Sequence, residues 1–444
     1  MTNRLPSTGQ EISNPGPTAT PAGWLSVRLS RILDGIKDGT HGSFDRVPEG
    51  VPLLSAKNVK NKGLTVSDAE SLISQSDHAS ITAGGYPARG DVLLTIVGTI
   101  GRSCVYEFDF PYAFQRSVCF LRPSPRINSH YLMYATQSKH FQDQLALSTK
   151  VSAQPGIYMG DVSACTVFLP PTSCQNKIVE FLDHETAKID VLIDKQEQLV
   201  ANLREDRAAT ITQAVTKGLD PSCELVKSTS GWIDTFPIHW EETKLKWNVS
   251  TVTSGSRGWA QHYSDDGDYF IRIGNLTRGS IGFDDSSVQR VSVPLHAEGS
   301  RTMTREGDLL FSITAYLGSV AVVDKHHVGA FVSQHVALAR LAGSSLDPNY
   351  VGYAMLSEVG QRQLKEQAYG GTKVQLSLDD IRSIALLLPP KEEQASIVSF
   401  LDSRCAHIDA LITKSTETID TLREYRSALI TNAVTGKIDV REAG

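Results

Sequence analysis

A chain of 444 residues exceeds the ~100–200 residues of a usual domain, so more than one globular unit is expected. Its 40% hydrophobic and 21% charged content suits a globular protein, and no apolar run approaches the ~20 residues needed to cross a bilayer. A formal net charge of −6 excludes a protein that coats nucleic acid non-specifically, while leaving room for a local DNA-binding face.

In chain order, residues 1–20 are rich in Ser, Thr, Pro and Gly, with neither a basic stretch nor an apolar one. They predict a flexible tail rather than a signal peptide. Residues 21–168 read as a first globular unit. It has a buried strand over 90–96 entered from a Gly-Asp turn, a helix over 131–145 and a strand over 166–169. Pro170-Pro171 stops that strand. A helical region over 169–220 follows, with its helix over 173–215. A second globular unit over 221–387 repeats the plan, with strands over 307–313 and 384–388 and a helix over 350–367. Pro389-Pro390 then opens a distal helical region, 388–444, with its helix over 392–434. The fold class is α+β: two mixed α/β globules and two long helices.

The chain is an internal repeat with an offset of about 219 residues. Phe181-Leu182-Asp183 answers Phe400-Leu401-Asp402, Ile189-Asp190 answers Ile408-Asp409, and Leu203-Arg204-Glu205 answers Leu422-Arg423-Glu424. The globules match more weakly. Trp24 has Trp240, Gly90-Asp91 has Gly307-Asp308, Gly101 has Gly318, and Tyr131 and Tyr134 have Tyr350 and Tyr353, with small slips of register between. The scaffold is shared and the surface between its landmarks is not.

Each helix carries an apolar stripe too narrow for a fully buried helix, with charge on its other face. Ile178, Leu182, Ile189, Leu192, Leu199 and Leu203 form the first stripe, and Ile397, Leu401, Ile408, Leu411, Ile419 and Leu422 the second. Packed on each other in coiled-coil fashion, the helices would bury both stripes.

Catalytic signatures are missing. There is no Walker loop, no H-E-x-x-H, no G-x-S-x-G and no Gly-rich strand-to-helix loop suited to S-adenosylmethionine. Asp347-Pro348-Asn349-Tyr350 brings to mind the D/N-P-P-Y motif of amino-methyltransferases but lacks its second proline, and reads as a helix cap. The acidic run 265–268 reads as a solvated turn, and His326-His327 as turn histidines. The six cysteines (Cys104, Cys119, Cys165, Cys174, Cys223, Cys405) lack C-x-x-C spacing and read as free thiols in a reducing cytoplasm. No sequence pattern assembles a nucleophile, base and orienting group, so the chain reads as non-catalytic, with no metal and no cofactor of its own.

Leu388-Pro389-Pro390, Glu393-Gln394, Ile397-Val398, Phe400-Leu401-Asp402 and Ile408-Asp409, with Leu422 to Thr431, resemble the helical region of type I restriction-modification specificity subunits. The central copy fits the same pattern, departing at Cys174, where that family usually has Glu. The resemblance spans the chain: target-recognition domain 1 over 21–168, conserved helices over 169–220, target-recognition domain 2 over 221–387, and conserved helices over 388–444. It implies a non-catalytic, cytoplasmic subunit of a bacterial defence system that binds double-stranded DNA. Each recognition domain would read half of a bipartite, asymmetric site. The helices would form an antiparallel coiled coil docking two modification (methyltransferase) subunits, with restriction (helicase-nuclease) subunits added. S-adenosylmethionine, ATP and Mg would sit on those partners. The rivals are a self-contained DNA-modifying enzyme and a coiled-coil adaptor that binds only proteins.

DNA readout calls for Arg, Lys, Asn and Gln on loops, with Lys, Thr and backbone N–H groups on phosphates. The first domain offers Lys57, Asn58, Lys60, Asn61, Lys62, Gln115, Arg116, Thr149 and Lys150. The second offers Arg272, Asn275, Arg278, Gln334, His335, Thr372 and Lys373. The recurring Thr-Lys-Val triplets at 149–151 and 372–374 suit a phosphate clamp.

Overall fold

Each Pro-Pro pair releases the chain into a long helix, the central one Thr172–Lys217 and the distal one Lys391–Val434. The structure, a computed structural model, describes residues 23–149, 155–255, 257–293, 300–315, 317–343, 345–368 and 374–440. The chain divides into two compact units. One joins the residues up to Gln196 with those from Glu417 onward, and the other is the stretch Glu197–Thr416. Each unit is thus a globule gripping half of each long helix. Among the described residues no helix is long and apolar enough to cross a membrane.

In the first unit a four-stranded antiparallel sheet runs Leu33–Asp38, Val118–Pro123, Val92–Thr95, Ser103–Val105 in spatial order. Beside it Val51–Leu54 pairs in parallel with Ala113–Phe114 and antiparallel with Leu72–Ile73. Leu25–Arg28 pairs with Thr166–Leu169, the strand that leads into the central helix. The second unit repeats the plan as Val249–Ser254, Val336–Leu341, Leu309–Ser312, Val320–Val322. Its side sheet joins Asp268–Ile271 in parallel with Phe331–Val332, and Glu241–Lys244 pairs with Ala385–Leu388. The hairpin Leu225–Lys227 with Thr235–Pro237 follows the central helix.

The Gly-Asp turns have a physical reason. Gly90 and Gly307 sit at φ +92° and +82°, where a side chain would be strained. The aspartate that follows is buried and forked by an arginine from the neighbouring strand. Arg122 Nε and Nη2 lie 2.8 Å from the two carboxylate oxygens of Asp91, and Arg340 Nε lies 2.7 Å from Asp308 Oδ1 with Nη2 2.6 Å from Oδ2. These buried carboxylates are stable only because they are paired.

The helices expected over 131–145 and 350–367 are each broken in two. Ser129–Gln137 and Lys139–Ser148 meet at Ser138, and Pro348–Leu356 and Glu358–Glu366 meet at Ser357. Both serines are extended (ψ 148° and 160°) and their hydroxyls accept a backbone N–H of the next helix, so each ends one helix and caps the following one. Asn128 and Asp347 cap the preceding helices in the same way, as expected for Asp347.

The joint between globule and helix is built twice from the same bonds. The buried Gln175 accepts Asn128 N–H (2.8 Å) and donates to the carbonyls of Arg126 and Pro170; Gln394 accepts Asp347 N–H (2.7 Å) and donates to Ser345 and Pro389. Tyr134 donates to Asp183 (2.7 Å), as Tyr353 does to Asp402 (2.6 Å). Burial, with these carboxylates adding to it, pushes both phenols well above their ordinary range. Tyr131 Oη reaches the Val434 carbonyl and Tyr350 Oη the Val215 carbonyl, each at 3.3 Å, tying the globule to the last turn of the other repeat's helix.

Within each unit the two long helices run antiparallel. In the first, Ile178 and Leu182 share a core with Ile430, Ala433 and Val434, whereas Ile189 and Ile193 meet Ile419. In the second, Ile211, Ala214 and Val215 meet Ile397, Leu401 and Cys405. Equivalent ion pairs flank the seam: Arg426 Nε to Asp190 Oδ1 (3.1 Å) in the first unit, Arg207 Nε to Asp409 Oδ1 (3.0 Å) in the second.

The buried positions Leu182, Thr186, Ile189, Ile193 and Val200 follow coiled-coil spacing, and Leu401, Cys405, Ile408 and Ile419 repeat them 219 residues on. This corrects three expected seam residues. Leu192, Leu199 and Leu411 are 48%, 44% and 39% exposed, because the seam passes through Ile193, Val200 and Ile412. One residue rotates a side chain by ~100° about the axis, which turns the leucine outward when its neighbour points in. Leu203 and Leu422 are half-buried.

Candidate nucleic-acid interface

In the first unit the connection from Ala113–Phe114 to Val118–Pro123 is a tight loop holding Gln115 and Arg116. Gln115 N–H donates to the Leu54 carbonyl (2.8 Å), Arg116 N–H to the Thr40 carbonyl (3.0 Å), and the Ser117 hydroxyl accepts Ala56 N–H (3.0 Å). A Cβ on Gly39 would overlap the carbonyls of Gln115 and Phe114, so glycine is what lets these strands close. Ile96 N–H donates to the Ser117 carbonyl and Ile157 N–H to the Ile96 carbonyl. One end of the main sheet therefore gathers Thr40, Lys57, Gln115, Arg116 and the strand end at Ile96. Arg116 and Lys60 are exposed; Gln115 is half-buried.

Lys57 shares this end but is paired. Its ammonium lies 2.7 Å from Glu70 Oε2, a carboxylate only 5% exposed. The hydrogen bond from Lys57 holds Glu70 below its ordinary value; burial opposes this, and Asn58 reinforces it. Asn58 itself is 3% exposed. Its Oδ1 accepts Ser55 N–H (2.9 Å) and its amide donates to the Thr65 carbonyl (2.9 Å) and Glu70 (2.7 Å). The side chain is fully engaged in closing its own loop, so Asn58 leaves the set of base-reading residues. Asn61 and Lys62 lie elsewhere. Asn61 Oδ1 accepts Ser103 N–H (3.1 Å), and Lys62 Nζ reaches Asp194 on the central helix (2.8 Å). Thr149, at the end of its helix, turns its hydroxyl back to the Leu145 carbonyl (2.8 Å). Lys150 lies outside the described residues.

The second unit builds the equivalent end from different residues. Ser333 N–H donates to the Ile271 carbonyl, Ile313 N–H to the His335 carbonyl, and Leu376 N–H to the Ile313 carbonyl. The exposed His335 ring bridges Thr314 Oγ1 (2.9 Å, at Nδ1) and the Gln334 amide (3.1 Å, at Nε2). A donating Gln334 amide places the ring hydrogen on Nδ1. Thr314 also pairs with Gln375 as an isolated bridge. Thr372 and Lys373, just before it in the chain, lie outside the described residues.

Arg272 caps the start of a short 3-10 turn, Ile273–Asn275, and Asn275 ends it. Asn275, 2% exposed, repeats the role of Asn58. It accepts Arg272 N–H (3.0 Å) and donates to the carbonyls of Asp284 (2.9 Å) and Ser287 (3.0 Å), so it too is withdrawn from the reading set. The half-buried Arg272 leans on Ser287 (3.3 Å to Oγ), and Arg278 is exposed. The loop that receives these bonds is fastened from its other side by His327. This turn histidine is buried rather than solvated: Nδ1 lies 2.7 Å from Asp324, Nε2 lies 3.2 Å from Asp285, and its ring stacks on Phe283. Burial raises the carboxyl of Asp285, but hydrogen bonds from Tyr269 and His327 outweigh it and hold the group below its ordinary value. The acidic run 265–268 is an exposed turn, and among the described residues no group of His, Cys, Asp and Glu could hold a metal.

Sequence reading missed Thr40, Ser117, Thr314 and Gln375, none of which stands out locally. Each joins its site through a hydrogen bond between segments far apart in the chain.

Comparison with known proteins agrees with this architecture. The family described as type I restriction modification DNA specificity domain matches twice, over residues 45–201 and 238–421. The EcoKI specificity subunit of Escherichia coli K12 is 22% identical over 440 residues, 94% of this chain and 90% of that protein. The MjaVIII specificity subunit of Methanocaldococcus jannaschii is 22% identical over 431 residues, 95% and 94% of the two chains. A solved chain from a study of complex assembly and conformational transition in the type I R-M system superposes with a TM-score of 0.68 at 16% identity, covering 95% of this chain and 100% of that one. With two copies of the specificity domain and a full-length fold in common, the chain belongs to the type I restriction-modification DNA specificity family.

Proposed function

We propose that the two units read the two unlike halves of one bipartite, asymmetric DNA site, with the paired helices setting the unread spacer between them. The carrying observation is that the joints and the loop backbones repeat bond for bond while the side chains at the loop ends do not: Gln115-Arg116-Ser117 stands where the second unit has Ser333-Gln334-His335. A conserved frame bearing different hydrogen-bonding groups is what two different half-sites require. The chain acts in a multisubunit assembly on DNA. The finer assignment is two modification subunits on the helix pair, supplying S-adenosylmethionine and the methylation chemistry, and restriction subunits using ATP and Mg, all in the cytoplasm.

The test is selection of binding sites from a random-core duplex library by the chain assembled with its modification subunits. Two blocks of specified bases separated by a fixed run of unspecified ones are expected. One contiguous block, or no enrichment, would overturn the reading. Deleting seven residues from each helix in step removes ~10 Å of rise and should shorten the spacer by about three base pairs, with both blocks kept. A retained original spacer would show that the helices do not set it.

A further inference from the structure

The six cysteines read alike in the sequence, yet one of them has a distinct setting. Cys223 lies in the turn that leaves the central helix, half-exposed, with Sγ 3.5 Å from His239 Nδ1. The opposite ring nitrogen, Nε2, is 2.8 Å from Glu393 Oε2, and the Trp240 indole N–H donates to the same oxygen (3.0 Å). A carboxylate only accepts, so His239 carries its hydrogen on Nε2 and turns the Nδ1 lone pair towards the thiol. The thiol hydrogen has a second acceptor in the Glu224 carbonyl at 3.6 Å. Thiol, base and orienting carboxylate thus stand in the order that activates a cysteine nucleophile.

Glu393 is held in place by its surroundings. It sits in the first turn of the distal helix and carries the Trp240 hydrogen bond. A side chain on Gly218, which ends the central helix at φ +75°, would meet Glu393 Oε1 at 3.1 Å and the Trp240 ring at 3.2 Å. The arrangement belongs to the second repeat alone, since the first has Cys174 where Glu393 stands and Gly23 where His239 stands. The remaining cysteines are poor competitors. Cys104, Cys119, Cys165 and Cys405 are buried, and burial pushes Cys104 up to about 12 and Cys165 up to about 11. Cys174 alone shares the half-exposed setting of Cys223.

We propose that Cys223 is a reactive thiol that forms mixed disulfides with low-molecular-weight disulfides, His239 acting as its base and Glu393 as the positioning residue. The thiol proton passes to His239 Nδ1, and Sγ attacks one sulfur of the incoming disulfide. A new S–S bond forms as the old one breaks, and the departing thiolate leaves with the bonding pair. The protein thiol is oxidised and one half of the disulfide is reduced, so the exchange balances. A glutathione-sized adduct at this point would displace His239 from Glu393, between the end of one long helix and the start of the other.

The full-length chain is treated with dithiobis(nitrobenzoate), and separately with oxidised glutathione, and each adduct is located by peptide mass spectrometry. One fast equivalent at Cys223 is expected, about tenfold or more ahead of Cys174. Cys223→Ser should remove the fast phase and Cys174→Ser should leave it. His239→Asn should slow it about tenfold without changing the thermal unfolding midpoint. The positioning role of Glu393 is read from the pH profile: from about pH 8 to 6 the wild-type rate should fall less steeply than that of Cys174, and Glu393→Gln should bring the two profiles together. Equal rates at Cys223 and Cys174, or a fast phase that survives His239→Asn, would overturn the proposal.

Discussion

Replacing Arg340 with Met removes both hydrogen bonds to Asp308, at 2.7 and 2.6 Å, and a third to the Met303 carbonyl at 3.0 Å. The Asp308 side chain is 2% exposed and, among the described residues, keeps the Arg305 backbone N–H (2.8 Å). Losing one partner of such a pair leaves a buried charge uncompensated and costs about 3–5 kcal/mol. By contrast, Arg340→Met combined with Asp308→Leu deletes both charges and should lie within ~1 kcal/mol of the parent. Native-state hydrogen exchange reads both variants locally. At 1.4 kcal/mol per tenfold, the single variant should raise opening of Leu309–Ser312 and Val336–Leu341 by roughly 10²- to 10⁴-fold. The equivalent strands of the first unit, served by Arg122 and Asp91, should be unchanged. A single-variant cost below ~1 kcal/mol, or a double variant as damaged as the single, would refute the view that the pair is tolerated only as a pair.

Three further outcomes are expected. Ile193→Ala should cost about 2–5 kcal/mol and Leu192→Ala no more than ~0.5, because only Ile193 fills the seam; thermal unfolding of the two variants checks this. Glu70 is held below its ordinary value of 4.5, so its contribution is complete above that pH and is lost as the pH falls through its lower folded value. Unfolding followed from about pH 5 to 2 should therefore show an acid limb that Glu70→Gln flattens, and an unchanged limb would remove Glu70 from the account. Lys373→Ala should weaken DNA binding on every sequence and flatten the salt slope by about one unit, whereas an unaltered slope in a salt titration would deny it a phosphate contact.

The long helices were legible to within a residue or two, because a Pro-Pro stop, a sustained apolar period and a second copy all point the same way. The seam was misread at Leu192 because Leu192 and Ile193 are both apolar. Only the partner helix decides which of two adjacent residues faces it. Asn58 and Asn275 illustrate the limit for the candidate interface. A polar residue in a loop suggests solvent, yet each amide is consumed by groups of its own loop, up to 12 residues away in sequence: the Glu70 carboxylate for Asn58 and the Ser287 carbonyl for Asn275. The parallel pairings of Val51–Leu54 with Ala113–Phe114 and Asp268–Ile271 with Phe331–Val332 gather the candidate loops, and no local pattern announces a contact across sixty residues. The Cys223, His239 and Glu393 constellation escaped for the same reason.

The bond from Tyr131 to the Val434 carbonyl bears on how the molecule is made. The second unit is one unbroken stretch, Glu197–Thr416, whereas the first needs residues from Glu417 onward to cover Leu182 and Ile189. During synthesis the globule translated first must therefore wait, its helix-facing groove open, until the far end of the distal helix leaves the ribosome. The later globule can close before it. At ~5–20 residues per second, the roughly 240 residues between Ile193 and Val434 give a delay of about 12–50 s. During that interval the exposed groove is the surface a chaperone would have to shield.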